Sequence, residues 1–252
     1  MAAPLSVAII ALNEERNLRS CLESVKWAQE VVVCDSGSTD RTLHIAAEYG
    51  ARTFQDPWRG FSAHKNLAVE RCTEPWILVL DADERVTAEL QQEIEAVVRA
   101  DGPADAYSVA RKNFFLGEWI RHGGWYPDRS LRLFRRGRGR FLPRSVHEAL
   151  AVDGAVGLLE NPLEHHTYAS VGDFLQRMDR YAALASGELL ASGRRTRVPD
   201  LTLRPVWTFL RMYLVQRGFL DGWRGLLLAG LYACYTLAKY AYLWEREQAA
   251  RA

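Results

Sequence analysis

Along the first hundred residues, short apolar runs alternate with stretches of helical spacing. Residues 5–11, 30–34 and 76–80 are compact runs rich in valine, isoleucine and leucine, and 51–54 reads as a further short strand. Runs of that length and composition suit strands buried on both faces of a parallel sheet. Between them, residues 13–29 carry Leu18, Leu22, Val25 and Trp27 among polar neighbours, the spacing of an amphipathic helix. Further helices are predicted over 40–49, stopped by Gly50, over 62–71, and over 87–99, stopped by Asp101-Gly102-Pro103. Strands alternating with helices build right-handed crossover units and an open parallel sheet, and ligands of such sheets bind outside the carboxyl ends of the strands. Two loops therefore stand out, one opening on Asp35 and the other on Asp81.

The pattern changes after residue 105. Residues 106–111 and 130–135 read as strands around a loop rich in glycine, tryptophan and tyrosine. An arginine-glycine run follows at 135–140, a helix at 171–187 and a basic linker at 194–197. From 203 to 244 the chain mixes Trp207, Phe209, Tyr213, Phe219 and Trp223 with Arg204, Arg211, Arg217, Arg224 and Lys239. We expect a domain over 1–190 in two halves, 1–105 and 106–190, followed by a helical appendage over 191–252.

Composition narrows the classes. With 252 residues, 48% hydrophobic and 25% charged, the chain is long enough to bury a core without disulfides. A net charge of +1 gives no electrostatic sign of nucleic-acid binding. Cys21, Cys34, Cys72 and Cys234 show no metal-ligand spacing and read as reduced thiols. The apolar start at 5–12 lacks a basic flank and a cleavage site, so it reads as a first strand and not a secretion signal. The longest apolar run, 226–238, falls short of the ~20 residues that span a bilayer. Aromatic and basic residues together suit a helix lying in the interface of an anionic leaflet; packing on the preceding domain or an oligomer contact is the alternative.

Asp81-Ala82-Asp83 sets two carboxylates around one small residue directly after an apolar strand. Such a pair can approach a hard divalent cation that also bridges substrate phosphates; an acidic turn or a helix cap would supply the same tripeptide. Asp35 can accept hydrogen bonds from a base or ribose, or cap the helix that follows it, and Gly37 permits a tight turn.

Ser6 to Glu15, Val33 to Asp40 and Ile77 to Glu84 together resemble family 2 inverting glycosyltransferases. The resemblance implies an α/β fold of the GT-A, Rossmann-like kind and a nucleotide-diphospho-sugar donor, held by the half 1–105 with 106–190 on the acceptor side. By position it implies that Leu12, Asn13 and Glu14 border the base and that Asp35 meets uracil or ribose. Lys65 is placed near the donor. Asp81, Ala82 and Asp83 flank ribose, diphosphate and a Mn²⁺ or Mg²⁺ ion, Asp83 being the main ligand. Tyr126 to Arg135, Val146-His147-Glu148 and His165-His166-Thr167-Tyr168 resemble the lipopolysaccharide-core β-glucosyltransferases.

An inverting displacement needs a general base on the acceptor side. No Glu-Asp pair occurs where many members of the family carry it, so Glu148 is the first candidate and Asp128 the second. His165 either completes the metal shell or is a hydrogen-bonded structural residue. Trp125 and Tyr126 stack on sugar or pack in the core, and Arg132 and His147 are assigned to the acceptor side. The expected donor is a UDP-hexose, UDP-glucose first, and the acceptor a lipid-linked saccharide. The expected place is the inner face of the cytoplasmic membrane, with homo-oligomers possible and no nucleic-acid partner. A peptide or polyprenyl-phosphate acceptor on the same fold, or a non-catalytic nucleotide-sugar-binding subunit, are the alternatives.

Overall fold

The computed structural model describes residues 3–142 and 149–250. The chain divides into two compact units, Met1–Arg111 with Arg129–His165, and Lys112–Asp128 with His166–Ala252. The composition boundary at 190/191 is not where the structure divides. The long helix that ends there goes with the tail, because its buried face packs against tail residues.

In the first unit, β1 (Ala3–Ala11), β2 (Ala28–Asp35), β3 (Arg52–Gln55) and β4 (Trp76–Asp81) are parallel, and α1 (Leu18–Ser24), α2 (Thr42–Glu48) and α3 (Phe61–Glu70) lie between them in the chain. The chain goes on through β5 (Glu84–Arg85), α4 (Ala88–Arg99), β6 (Ala106–Phe115), β7 (Glu118–Trp119), β8 (Asp128–Arg135), β9 (Gly139–Leu142), β10 (Ala149–Val152), β11 (Val156–Leu158) and β12 (Leu163–Tyr168). The sheet order is β3-β2-β1-β4-β8-β6-β12-β5, with β8 antiparallel to β4.

Alternation along the central strands covers the sheet on both faces. Val7 and Ile9 of β1 and Leu78 and Leu80 of β4 join Leu18, Leu22, Leu90 and Ile94 in one core. Ala8, Ile77 and Val79 face the other way and pack with Val32, Cys34, Ala68 and Phe134. Strand β1 is flanked by β2 on one side and β4 on the other. Its register sets Ala11 opposite Asp35 and Ile10 opposite Asp81. The two aspartates picked out in the sequence thus end the two strands that flank β1, at the point where the strand order reverses.

Helix α1 begins five residues later than the spacing predicts. Residues 13–17 form a turn instead, with Asn13 at φ 56°. The strands past residue 138 escaped the sequence reading. β9 and β10 form a separate hairpin, and β12 is polar through Glu164, His165, His166 and Thr167.

The second unit holds α5 (Val171–Ala191), α6 (Val198–Leu201), α7 (Leu203–Leu210), a π-helical turn over Arg211–Val215, a 3₁₀ turn over Gly218–Asp221, and α8 (Gly222–Ala249). Its core joins Phe115, Ile120, Trp125, Tyr168, Phe174 and Met178 to Leu228 of α8. The run Gly218–Ala249 is long and apolar enough to cross a membrane, by length and composition, which the shorter apolar run in the sequence did not indicate. The helix continues through Arg224 and Lys239, so its length exceeds that of the apolar run. Leu228, Tyr240 and Leu243 are buried within the unit.

Candidate active site

Three loops at the carboxyl ends of β1, β2 and β4 make the site. The turn after β1 is clasped to the loop after β2. Asn13 N–H donates to Ser38 Oγ (2.8 Å), Glu14 N–H to Thr42 Oγ1 (2.8 Å), and Thr39 N–H to Asn13 Oδ1 (2.8 Å). These bonds explain why residues 13–17 leave the helical pattern: their backbone donors are satisfied across the loop. Leu12, an apolar side chain, is exposed beside them.

Asp35 is fully buried and shapes its own loop. Its Oδ2 accepts from Gly37 N–H (2.8 Å) and Ser38 N–H (2.9 Å), and its Oδ1 accepts from the Ser38 hydroxyl. Gly37 sits at φ 103°, a conformation that favours glycine. Asp35 does not cap the next helix; Asp40 Oδ1 accepts from Thr42 N–H (2.9 Å), the first residue of α2.

Asp81 ends β4 between two cations. Lys65 Nζ lies 2.8 Å from Oδ1, and Arg132 donates to Oδ2 at 2.9 Å. Burial works against ionisation here, but Lys65 and Arg132 outweigh it and hold the carboxyl well below the usual range. The adjacent Glu84 is fully buried; it accepts from Asp81 N–H (2.9 Å) and from Arg132, and Arg111 lies 3.5 Å away. This Glu84–Arg132 pair was missed in the sequence. Its one signal was that Glu84 directly follows the acidic tripeptide.

Asp83 meets a histidine. Its Oδ1 is 3.5 Å from His165 Nε2, on the strand that pairs with Glu84. Burial lowers the His165 pKa, but Asp83 more than compensates, so the net shift is upward. Among the described residues no three His, Cys, Asp or Glu side chains gather into a metal cluster. A carboxylate and an imidazole in contact still suit Mn²⁺ or Mg²⁺, which bind through few protein ligands and complete their shell with phosphate oxygens and water. Asp81, expected among the ligands, is paired with Lys65 and Arg132.

The acceptor-side candidates separate. Arg132 is buried against Asp81 and Glu84. Trp125 is packed in the core of the second unit with Phe115 and Tyr168, the packing alternative of the sequence reading. Tyr126 meets the edge of Trp119 at 5.3 Å. Asp128 Oδ2 accepts from Asn113 Nδ2 (3.2 Å) in that same unit. His147 and Glu148 lie outside the described residues. Cys21, Cys34 and Cys72 are buried free thiols and Cys234 an exposed one.

A doubly covered parallel sheet with a carboxylate motif at its switch point defines the class of GT-A, Rossmann-like sugar transferases. The chain belongs to the family described as glycosyl transferase family 2, whose model matches residues 6–152, and it is a glycosyltransferase. It is 34% identical over 246 residues to the lipopolysaccharide core biosynthesis glycosyltransferase LpsC of Rhizobium meliloti, covering 94% of this chain and 91% of that one. It is 26% identical over 253 residues to an uncharacterized glycosyltransferase, RT0209, of Rickettsia typhi, covering 96% and 87%. Among solved structures, residues 1–349 of S. aureus TarS in complex with UDP align at a TM-score of 0.49 and 16% identity, covering 100% of this chain and 91% of that one. Glucosyl-3-phosphoglycerate synthase of Mycobacterium tuberculosis with Mn²⁺, UDP and product aligns at 0.36 and 22% identity over 44% of each chain.

Proposed function

We propose that this glycosyltransferase moves a hexose, glucose first, from a UDP-sugar to a lipid-linked saccharide such as the inner core of lipopolysaccharide, with inversion at the anomeric carbon. The observation that carries the donor half is the separation of roles in Asp81-Ala82-Asp83: Asp81 is held by Lys65 and Arg132, while Asp83 faces His165. The acceptor class rests on the full-length similarity to LpsC.

In this reading Leu12, Asn13 and Glu14 border the base, and Asp35 and Gly37 shape the loop that receives uracil and ribose. Asp81, fixed by its two cations, meets the ribose and the diphosphate. Lys65 and Arg132 offset the negative charge there. Asp83 and His165 would hold Mn²⁺ or Mg²⁺. Such an ion stabilises the departing diphosphate as a Lewis acid. Ala82 keeps the turn small enough for the diphosphate to approach.

The acceptor hydroxyl requires a base. Asp128, steadied by Asn113, is one candidate, and Glu148 is the other. With His147 and Tyr126 it would line the acceptor side. The enzyme would work in the cytoplasm, lying peripherally on the anionic inner leaflet through its basic-aromatic tail.

The test is UDP release and product mass from a purified enzyme given UDP-glucose, UDP-galactose or UDP-N-acetylglucosamine with truncated lipopolysaccharide acceptors. In parallel, lipopolysaccharide from a deletion strain is weighed by mass spectrometry. A missing hexose, restored by the enzyme in vitro, supports the assignment. Unaltered lipopolysaccharide and no transfer to any such acceptor overturn it.

A further inference from the structure

In the second unit, a cavity of about 300 Å³ lies among the Gly123-Gly124-Trp125 turn, α7, the π-helical turn and α8. That volume is at the small end of ligand pockets, which run from ~300 to 1,000 Å³, enough for a sugar-sized group. The side chains of Trp125, Trp207 and Tyr232 give it aromatic walls, and Arg211, Met212 and Gln216 complete them.

The backbone around it is specialised. The π-helical turn begins at Arg211, and Gln216 N–H donates back to Arg211 O at 2.8 Å. Single π turns inside helices recur at functional sites. Gly123 N–H donates to Gln216 O at 2.9 Å. Gly124 is at φ 81°, and a Cβ there would come within 2.8 Å of the Gln216 amide, so the glycine lets that amide stand against the turn.

The chemistry of the walls is that of carbohydrate sites. Aromatic faces pack on the C–H faces of sugars, while a guanidinium and an amide bind oxygens in fixed directions. Arg211 is exposed, and no ion pair to a carboxylate is found for it among the described residues, so its charge is available to an anion.

The rim indicates what carries the sugar. Leu203, Val206, Trp207, Leu210 and Leu214 are all exposed, Trp207 by 58% and Leu214 by 53%. Spaced at helical intervals, they form one stripe, which on a soluble helix would face the core. Val215, Phe219, Leu220 and Trp223 extend the exposed apolar surface beyond it. Phosphorylated saccharides without acyl chains would have no use for such a rim, whereas an acylated one brings its own apolar surface.

We propose that this cavity binds the anionic saccharide headgroup of an acylated glycolipid, with Arg211 on the anion and Trp207 on a sugar face, while the exposed stripe meets the acyl region. This deepens, and rests on, the reading of a lipid-linked acceptor.

The test compares detergent micelles carrying an acylated diglucosamine bisphosphate with micelles carrying phosphatidylglycerol at equal negative charge, titrated into the full-length protein and followed calorimetrically. The expected result is at least tenfold tighter binding of the glycolipid. That preference should vanish in the Trp207→Ala/Arg211→Gln double variant. Both residues are exposed, so folding should persist, and thermal melting and UDP affinity report on it. A double variant that is folded and keeps the preference overturns the proposal. Equal binding of both micelles by the wild type overturns it as well, and would mark a general anionic-membrane contact. Failure of the donor reading shows separately, as no UDP binding by the wild type in the presence of Mn²⁺.

Discussion

Lys65 Nζ sits 2.8 Å from Asp81 Oδ1, with Lys65 only 4% exposed and the Asp81 side chain 28%. A lysine from the middle of α3 thereby answers the carboxylate at the end of β4. A buried lysine is stable only with a partner, so each of the two charges accounts for the other. Arg132, 2.9 Å from Oδ2, completes the pairing of Asp81.

Lys65→Met should destabilise the protein by about 3 kcal/mol. Breaking a buried pair costs ~3–5 kcal/mol, and Arg132 remains to pair with Asp81, which puts the loss at the lower end. Urea unfolding measures it. A midpoint equal to that of the wild type would show that the pair is not formed in solution.

Asp83→Ala and His165→Ala should each weaken Mn²⁺-dependent UDP binding by at least about tenfold, or ~1.4 kcal/mol. UDP binding in the presence of a chelator should change less. Calorimetry with and without Mn²⁺ separates the two. Wild-type Mn²⁺ dependence in both variants would remove this pair from the metal assignment.

The base assignment turns on two substitutions. Loss of a general base lowers turnover by ~10²–10⁴ without removing donor binding. If Asp128 is the base, Asp128→Asn shows that fall in kcat while Glu148→Gln turns over normally; if Glu148 is, the pattern reverses. UDP affinity should hold in either variant.

The tail should respond to acid through Asp200. Burial opposes its ionisation, but the Arg197 N–H and the side chains of Arg194 and Arg204 outweigh burial and lower its pKa. A carboxyl depressed in the folded state contributes stability that is fully present above its unfolded value, near ~3.9, and is lost as pH falls through the lower folded value. Unfolding measured between pH 7 and 2 should show that loss in the wild type. Asp200→Asn should be less stable at pH 7, by about 1–3 kcal/mol, and lack that part of the acid dependence. Identical pH profiles would contradict the pairing.

Membrane binding is best tested by substitution. Deleting the tail would remove Leu228 and Tyr232 from the aromatic core of the second unit and expose it. Leu210→Ser/Leu214→Ser leaves that core intact. Co-flotation with phosphatidylglycerol vesicles should fall several-fold in the variant if the exposed stripe makes the contact. Undiminished flotation would place the contact elsewhere.

The amino-terminal sheet was legible because each strand and helix there buries residues close in sequence. Valine-rich runs and a 3.6-residue spacing report directly on those faces. Asp35 and Asp81 could be found because each ends such a run. The sequence also showed an acidic tripeptide with two possible metal ligands, an aromatic and basic tail, and blocks shared with family 2 glycosyltransferases.

Tertiary structure decided what long-range pairing controls. That Asp81 sits between cations depended on Lys65 and Arg132, respectively 16 and 51 residues away. That His165 faces Asp83 depended on β12 pairing with β5. A polar strand such as β12 has no hydrophobic alternation to announce it; it exists because its backbone finds partners already in the sheet. Trp125 looked equally suited to a sugar or to a core, and the fold packs it against Phe115 and Tyr168 while it also lines the cavity beside α7. The tail shows the same division. Its amphipathic character was written in the sequence, but that α7 turns its apolar stripe outward depended on which face the rest of the second unit left uncovered.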